Sequence, residues 1–334
     1  MVSYREIARV AGCSAATVSR AFNTPGRVAP PLLRAIREAE TRLRSGAPPV
    51  DPTPARQGRL VGVLIPSMGN PVFATILSAL QRRLRLGGYG VLIAQSNYEA
   101  EEEGEAVETL LAERPAGLIL TLCDAARPPP SLVASHPPCV FLHQPPAVSG
   151  ASAAVTLDNR ACARQLTDLV LAAGHRRLLF LSGNFTASDR ARARYEGFCD
   201  SLRAAGLPVL PASEVSFVDD YAHVDLTETM ERHRPTAIVA SNDLLALGAM
   251  GALRRLGLAI PEDVSVVGFD GIELGRLAMP TLATMELPNQ AMGACAASLL
   301  LDMVERGAPS HGLDLPFGYR PGGSLGPPPP ETSA

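Results

Sequence analysis

From residue 60 onward, short wholly apolar runs alternate with amphipathic stretches, and the pattern occurs twice. LVGVLI (60–65), GVLIA (90–94), AGLILT (116–121) and CVFL (139–142) form one series. LLFLSG (178–183), EVSF (214–217), AIVAS (237–241) and VSVVGF (264–269) form the second. Short runs without polar alternation fit strands buried on both faces, as in parallel sheets covered by helices. Helical periodicity fills the gaps, near 73–87, 100–112, 159–173, 190–205, 244–256 and 289–305. The expected body is therefore α/β, with two βα lobes in series.

Charge divides the chain at the same point. Residues 1–60 carry ten Arg and four acidic groups, net +6; residues 61–334 carry twenty Arg and 29 acidic groups, net -9. A small basic head on a larger acidic body implies two parts with different partners. Every Lys+Arg position is Arg, so Schiff-base lysines and Walker-type phosphate lysines are excluded. The six Cys are scattered without a CxxC pair and read as reduced small hydrophobes in a cytoplasmic chain. No apolar run reaches a membrane span, and no secretory h-region follows Tyr4, Arg5 and Glu6.

Within the head, Ser3 and Glu6 have capping-box spacing before Ile7, Ala8 and Val10. Gly12 breaks that helix, Ser14 can cap a second from Ala15 to about Phe22, and Pro30-Pro31 can open a third. Two short helices and a tight turn on a basic segment suggest a helix-turn-helix. Its second helix would enter the major groove with its first residues against base edges. Ala15 and Ala16 offer methyl contact, Arg20 a bidentate guanine or phosphate contact, and Thr17 and Ser19 phosphate hydrogen bonds. A solvated bundle acting as a dimer clamp has the same pattern.

The stretch YREIARVAGCSAATVSRAFN, from Tyr4 to Asn23, resembles the DNA-binding signature of the LacI/GalR family of bacterial transcription regulators. The resemblance implies an N-terminal three-helix helix-turn-helix domain followed by a bilobal periplasmic-binding-protein-like effector domain. It places Ala15, Ala16 and Arg20 at base-reading positions and Thr17 and Ser19 near the backbone. Tyr4 and Asn23 belong to the same surface, and Ala8 and Val18 pack the first two helices together. Further likeness lies in 65–77, 155–159, 173–183, 241–270 and 280–284.

Domain limits follow: a head at 1–46, a linker at 47–59, and an effector and dimerisation domain at 60–320. Lobe one is expected at about 60–158 plus 286–320, and lobe two at about 159–285. A disordered Pro/Gly-rich tail completes the chain at 321–334. The linker departs from the family. Pro48, Pro49, Pro52 and Pro54 oppose the usual hinge helix, and no leucine stands at the spacing of its minor-groove wedge. A looser tether is expected, with Arg56 available to phosphates.

Ligands of doubly wound folds bind where strands exit at the crevice. There the resemblance aligns Asn242, Asp270 and Arg194 with effector contacts, and Ser67, Asn70 and Phe73 with the first lobe's strand exit. Helix capping is the plain alternative for Asn242 and Asp270, a solvated face for Arg194, and core for Phe73. A second departure is VFLHQ, which puts His143 where members often carry Asp. With Arg194 nearby, that change tilts toward an anionic or sugar-acid effector, while a neutral sugar, nucleoside or other small ligand stays open as the alternative. No GxGxxG, HExxH or GxSxG motif is present, and the six His show no ligand spacing. Catalytic residues, metals and cofactors are not expected. The expected protein is a homodimeric repressor that binds double-stranded operator DNA and a small-molecule effector. An activator or a corepressor-dependent regulator would use the same residues. A transport binding protein or a Rossmann-type enzyme are remoter alternatives.

Overall fold

The computed structural model describes residues 3–44, 59–215 and 221–330. The chain forms two compact units, residues 1–56 and 57–334.

Among the described residues, the first unit holds three α-helices: α1 (Tyr4–Val10), α2 (Ala15–Asn23) and α3 (Pro30–Arg44). Ser3 and Glu6 form the expected capping box on α1, and the Ser14 hydroxyl accepts from Thr17 N at 3.2 Å to start α2. Such caps satisfy amide donors that the first turn leaves unpaired. Ile7, Ala8, Val18, Ala21, Ile36 and Ala39 make the small core, so Ala8 and Val18 do pack the first two helices. The proline-rich linker lies outside the described residues, and Arg56 and the expected loose tether lie there with it.

The second unit contains two six-stranded sheets. The first has the order β11-β5-β4-β3-β1-β2, the second β12-β10-β9-β8-β6-β7. In chain order the strands are β1 (Leu60–Ile65), β2 (Gly90–Gln95), β3 (Gly117–Leu120), β4 (Cys139–Leu142), β5 (Ser152–Thr156), β6 (Leu178–Gly183), β7 (Ser213–Val215), β8 (Ala237–Ala240), β9 (Ser265–Asp270), β10 (Ala283–Glu286), β11 (Gly312–Asp314) and β12 (Gly318–Arg320). All pairings are parallel except β10 with β12. Alternation within β1 shows why a continuous apolar run is needed. Val61, Val63 and Ile65 join the core beneath α4 (Pro71–Leu86) and α12 (Asn289–Arg306), whereas Leu64 faces α5 (Ala100–Ala112) with Val107 and Leu110. The second sheet is covered in the same way by α7 (Asn159–Ala172), α8 (Asp189–Ala204) and α10 (Asp243–Arg255). Of the expected EVSF strand, Glu214 and Val215 lie in β7, and the remainder falls outside the described residues.

The lobe limits differ from expectation at the C-terminal end. The chain crosses between lobes three times: after β5, after β10, and between β11 and β12. Residues 318–320 therefore belong to the second lobe, because β12 pairs with β10. The tail expected to be disordered is ordered through residue 330. Ser324 is fully buried. Its backbone N donates to Thr281 O at 3.0 Å, and its carbonyl accepts from Val266 N at 2.8 Å. Its hydroxyl donates to Val266 O at 2.5 Å and accepts from Ala283 N at 2.9 Å. Gly326 O lies 2.9 Å from His175 Nε2, and the buried His175 ring also meets Thr236 and Ser265 hydroxyls. Its Pro/Gly-rich composition suggested disorder, but the tail is held by polar pairing into the end of a sheet.

Candidate functional site

The face of α2 opposite its core carries the residues expected to meet DNA. Ala16, Arg20 and Asn23 are exposed and recur at helical spacing, with Ala15, Thr17 and Ser19 half-buried beside them. Thr17 Oγ1 shares a 2.8 Å hydrogen bond with the Ser14 hydroxyl, and Asn23 Nδ2 donates to Ser19 Oγ at 3.2 Å. Tyr4 is 45% exposed and stacks on Phe22, with centroids 5.6 Å apart and planes within 8°. The surface offers one flexible guanidinium between methyls and small hydroxyls.

In the second unit, the strand ends converge on a cavity of about 40 Å³ between the lobes. Six of the seven expected crevice residues line it: Asn70, Phe73, His143, Arg194, Asn242 and Asp270. Ser67 does not line it. Its hydroxyl instead accepts from Gly69 N at 3.0 Å, shaping the turn before α4. The capping alternative holds for Asn242 but not for Asp270, whose carboxylate meets Arg194, and Asn70 also caps a helix. Asn70 Oδ1 accepts from Val72 N at 3.0 Å, and Asn242 Oδ1 from Leu245 N at 2.8 Å. Each thus turns a strand exit into a helix start while standing at the cavity wall. Phe73 is both core and wall, being 4% exposed.

Arg194 is on no solvated face; it is buried and internally bonded. Nε donates to Asn159 Oδ1 at 2.9 Å, and Nη1 to Ser241 O at 2.5 Å and Asp270 Oδ1 at 3.4 Å. Its guanidinium also lies 4.9 Å from the centroid of the Phe269 ring. Burial pushes the Asp270 carboxyl up to about 6, against the opposing pull of Arg194. Asn289 Nδ2 holds the Asp270 carbonyl at 3.1 Å. Asp270 (φ 107) and His143 (φ 64) both have positive φ. Non-glycine residues there cost on the order of 1–3 kcal/mol and tend to cluster at binding sites.

His143 is 6% exposed, and neither ring nitrogen has a hydrogen-bond partner. Burial first, then Arg190 and Arg194, hold its pKa well below the usual imidazole value, so the ring is neutral. Sequence reasoning missed Tyr98, Ser188, Arg190 and Ser241, which also line the cavity. Arg190 carried a signal, standing one helical turn before Arg194 on α8. Tyr98 carried none, since its place depends on positive φ at Asn97 and Tyr98 after β2.

Several bonds tie the lobes across the crevice. Asp189 N donates to Cys123 O at 2.9 Å, and Ala125 N to Asp189 Oδ2 at 3.1 Å. Arg190 Nη1 donates to Leu122 O at 2.6 Å and Gln144 Oε1 at 3.0 Å, and Arg192 pairs with Asp124 at 3.3 Å. The inner cavity is far below the ~300 Å³ of an ordinary ligand pocket. A sugar-sized ligand therefore needs the lobes to part or Tyr98 to move. Tyr98 is also a wall of a larger hollow of about 610 Å³, bounded by Glu99, Asp124, Arg127, Asn184 and Arg192. Among the described residues, no group of three or more His, Cys, Asp or Glu is arranged for a metal. No described helix is long and apolar enough to cross a membrane.

A family model for a periplasmic binding protein-like domain matches residues 167–325. The HTH-type transcriptional regulator GntR of Escherichia coli K12 is 30% identical over 339 residues, spanning 96% of this chain and 98% of its own. The chain belongs to the LacI/GalR family of transcription regulators. Among solved structures, a LacI-family regulator from Silicibacter pomeroyi matches with TM-score 0.72 and 26% identity, over 98% of this chain and 100% of that one. The transcriptional regulator CelR in complex with cellobiose matches with TM-score 0.70 and 25% identity, over 97% of this chain and 100% of that one. As a LacI/GalR member the protein is a DNA-binding transcription regulator. The basic three-helix unit and the bilobal α/β unit correspond to the two parts of that family fold.

Proposed function

We propose that the protein is a homodimeric repressor of genes for carbohydrate or sugar-acid use, released from or held on its operator by a small effector in the crevice. The observation that carries this reading is the inter-lobe cavity, walled by buried polar groups of both lobes that have no partner: His143 Nδ1 and Nε2, Ser241 Oγ and Arg190 Nη2. Buried unpaired donors and acceptors are costly, and a polyhydroxylated ligand supplies their partners. Similarity to CelR, solved with cellobiose, supports the same ligand chemistry.

Two heads on a dimer read half-sites of a near-palindrome. Ala15, Ala16 and Arg20 face base edges, with Thr17, Ser19, Asn23 and Tyr4 toward the backbone. Leu277 and Met279 leave 78% and 79% of their surface in water, which supports a second copy as cover. An effector that binds the open and closed lobes unequally changes operator affinity, and DNA changes effector affinity by the same factor.

The test is a gel shift on DNA upstream of the protein's own gene. Wild type is expected to bind specifically, and Arg20→Ala to lose about 5- to 150-fold in specific affinity, in line with the ~1–3 kcal/mol of a base-reading arginine. Addition of sugars and sugar acids is expected to shift the wild-type complex. Specific binding undiminished in Arg20→Ala would remove α2 from the recognition role.

A further inference from the structure

We propose that the effector carries a carboxylate and that Arg190, not Arg194, is the residue that selects it. This rests on the crevice being the effector site, as argued above.

The two guanidiniums of the cavity are not equivalent. Arg194 has its Nε and Nη1 engaged by chain groups, Asn159 on the first and the Ser241 carbonyl and Asp270 carboxylate on the second, and Phe269 lies against it. Its charge is already matched at 3.4 Å by Asp270. Arg190 is 7% exposed and lines the same cavity, yet its Nη2 has no hydrogen-bond partner. Its Nη1 takes all of its contacts: Leu122 O, Gln144 Oε1 and Asp189 Oδ1 at 3.1 Å. Asp189 does not line the cavity, and its other oxygen accepts from Ala125 N. Both guanidiniums are ion-paired, Arg190 with Asp189 at 3.1 Å and Arg194 with Asp270 at 3.4 Å, and what sets Arg190 apart is its buried, unpartnered Nη2.

A guanidinium edge with open N–H groups matches a carboxylate better than a hydroxyl, because both partners are charged and planar. His143 adds to the match. As a neutral ring it contributes one donor and one acceptor without competing for the anion's charge, whereas an aspartate there would occupy Arg190 itself. Ser241 Oγ, also unpartnered, remains for a ligand hydroxyl.

Arg190 belongs to the second lobe, and its Nη1 acceptors Leu122 and Gln144 belong to the first. An anion on Nη2 therefore binds to a side chain that already bridges the crevice. Charge recognition and lobe closure share one residue, so an anionic ligand favours the closed lobes more than its neutral analogue does.

The test is calorimetric titration of the full-length protein with D-gluconate and D-galactonate, each beside its parent aldose. Wild type is expected to bind at least one aldonate tenfold or more tighter than the parent sugar, the range of a charge-assisted hydrogen bond. Arg190→Gln should bring that preference within about threefold. Arg192→Gln, which removes another cross-lobe tie but lines only the outer hollow, should keep it. His143→Asp, which sets a carboxylate beside the guanidinium, should lose aldonate binding tenfold or more and spare the aldose. Aldoses binding as well as aldonates in wild type, or preference surviving in Arg190→Gln, would overturn the assignment and leave the crevice site standing. Failure of all four ligands to bind wild type would overturn the carbohydrate reading and this inference together.

Discussion

Replacing Ser324 by alanine removes one oxygen from a segment whose composition suggested disorder. That hydroxyl bridges Val266 O at 2.5 Å and Ala283 N at 2.9 Å, on adjacent strands β9 and β10. The site is fully buried, so water cannot replace the lost partner without entering the sheet. Each orphaned buried group costs about 1–3 kcal/mol, and imperfect relaxation places the sum at roughly 2–4 kcal/mol. For a unit of this size, ~1 kcal/mol lowers Tm by about 2–4 °C, so a fall of roughly 5–15 °C is expected in the body's transition. The chain has no Trp, which makes differential scanning calorimetry the better assay. The exposed Ser310 is the control: Ser310→Ala should leave that transition in place. A Ser324→Ala transition within 1 °C of wild type would refute the reasoning that polar pairing holds the tail.

Asp243 and Gly293 give two further expectations. Burial first, and Asp270 second, push the Asp243 carboxyl up to about 8. The unfolded chain releases that proton near pH 4, so the stability Asp243 contributes is full below about pH 4 and lost as pH rises through about 8. Thr284 Oγ1 and Ile272 N both face its carboxyl, and an amide can satisfy both because the Thr284 hydroxyl can turn to Met285 O. Asp243→Asn should therefore match wild type near pH 4 and exceed it at pH 8 by on the order of 5 kcal/mol in urea melts. Parallel profiles would dismiss the buried-acid account. At Gly293 a Cβ would sit 2.3 Å from Ile76 O, where α12 packs on α4. Gly293→Ala should destabilise the body by about 1–3 kcal/mol despite alanine's better helix propensity, and a raised Tm would contradict the close approach.

The strands that the sequence revealed are those buried on both faces, because continuous apolar runs such as LVGVLI and LLFLSG have few other uses. β5, β10, β11 and β12 were not legible as strands, since short or mixed runs such as SAAVT, ATME, GLD and GYR carry little periodicity. Missing the last two shifted the lobe boundary and left the tail looking free. Within the crevice, Asn70, Asn242 and Asp270 were legible as polar residues following strands. Ser67 follows a strand in the same way, but its hydroxyl closes its own loop and does not line the cavity. Arg194 was placed in the crevice, but its engagement by Asn159 and Asp270 depends on three segments far apart in sequence. No local pattern reports that.

The last crossing of the chain has a consequence for synthesis. The first sheet obtains β11 and its covering α12, and the second obtains β12 and the Ser324 plug, only from residues 289–330. A ribosome delivers these after every other strand. The head, whose contacts are local, can reach its fold early, whereas both lobes must hold unfinished apolar sheets until this segment emerges. One segment thus completes both lobes, and its removal harms both at once.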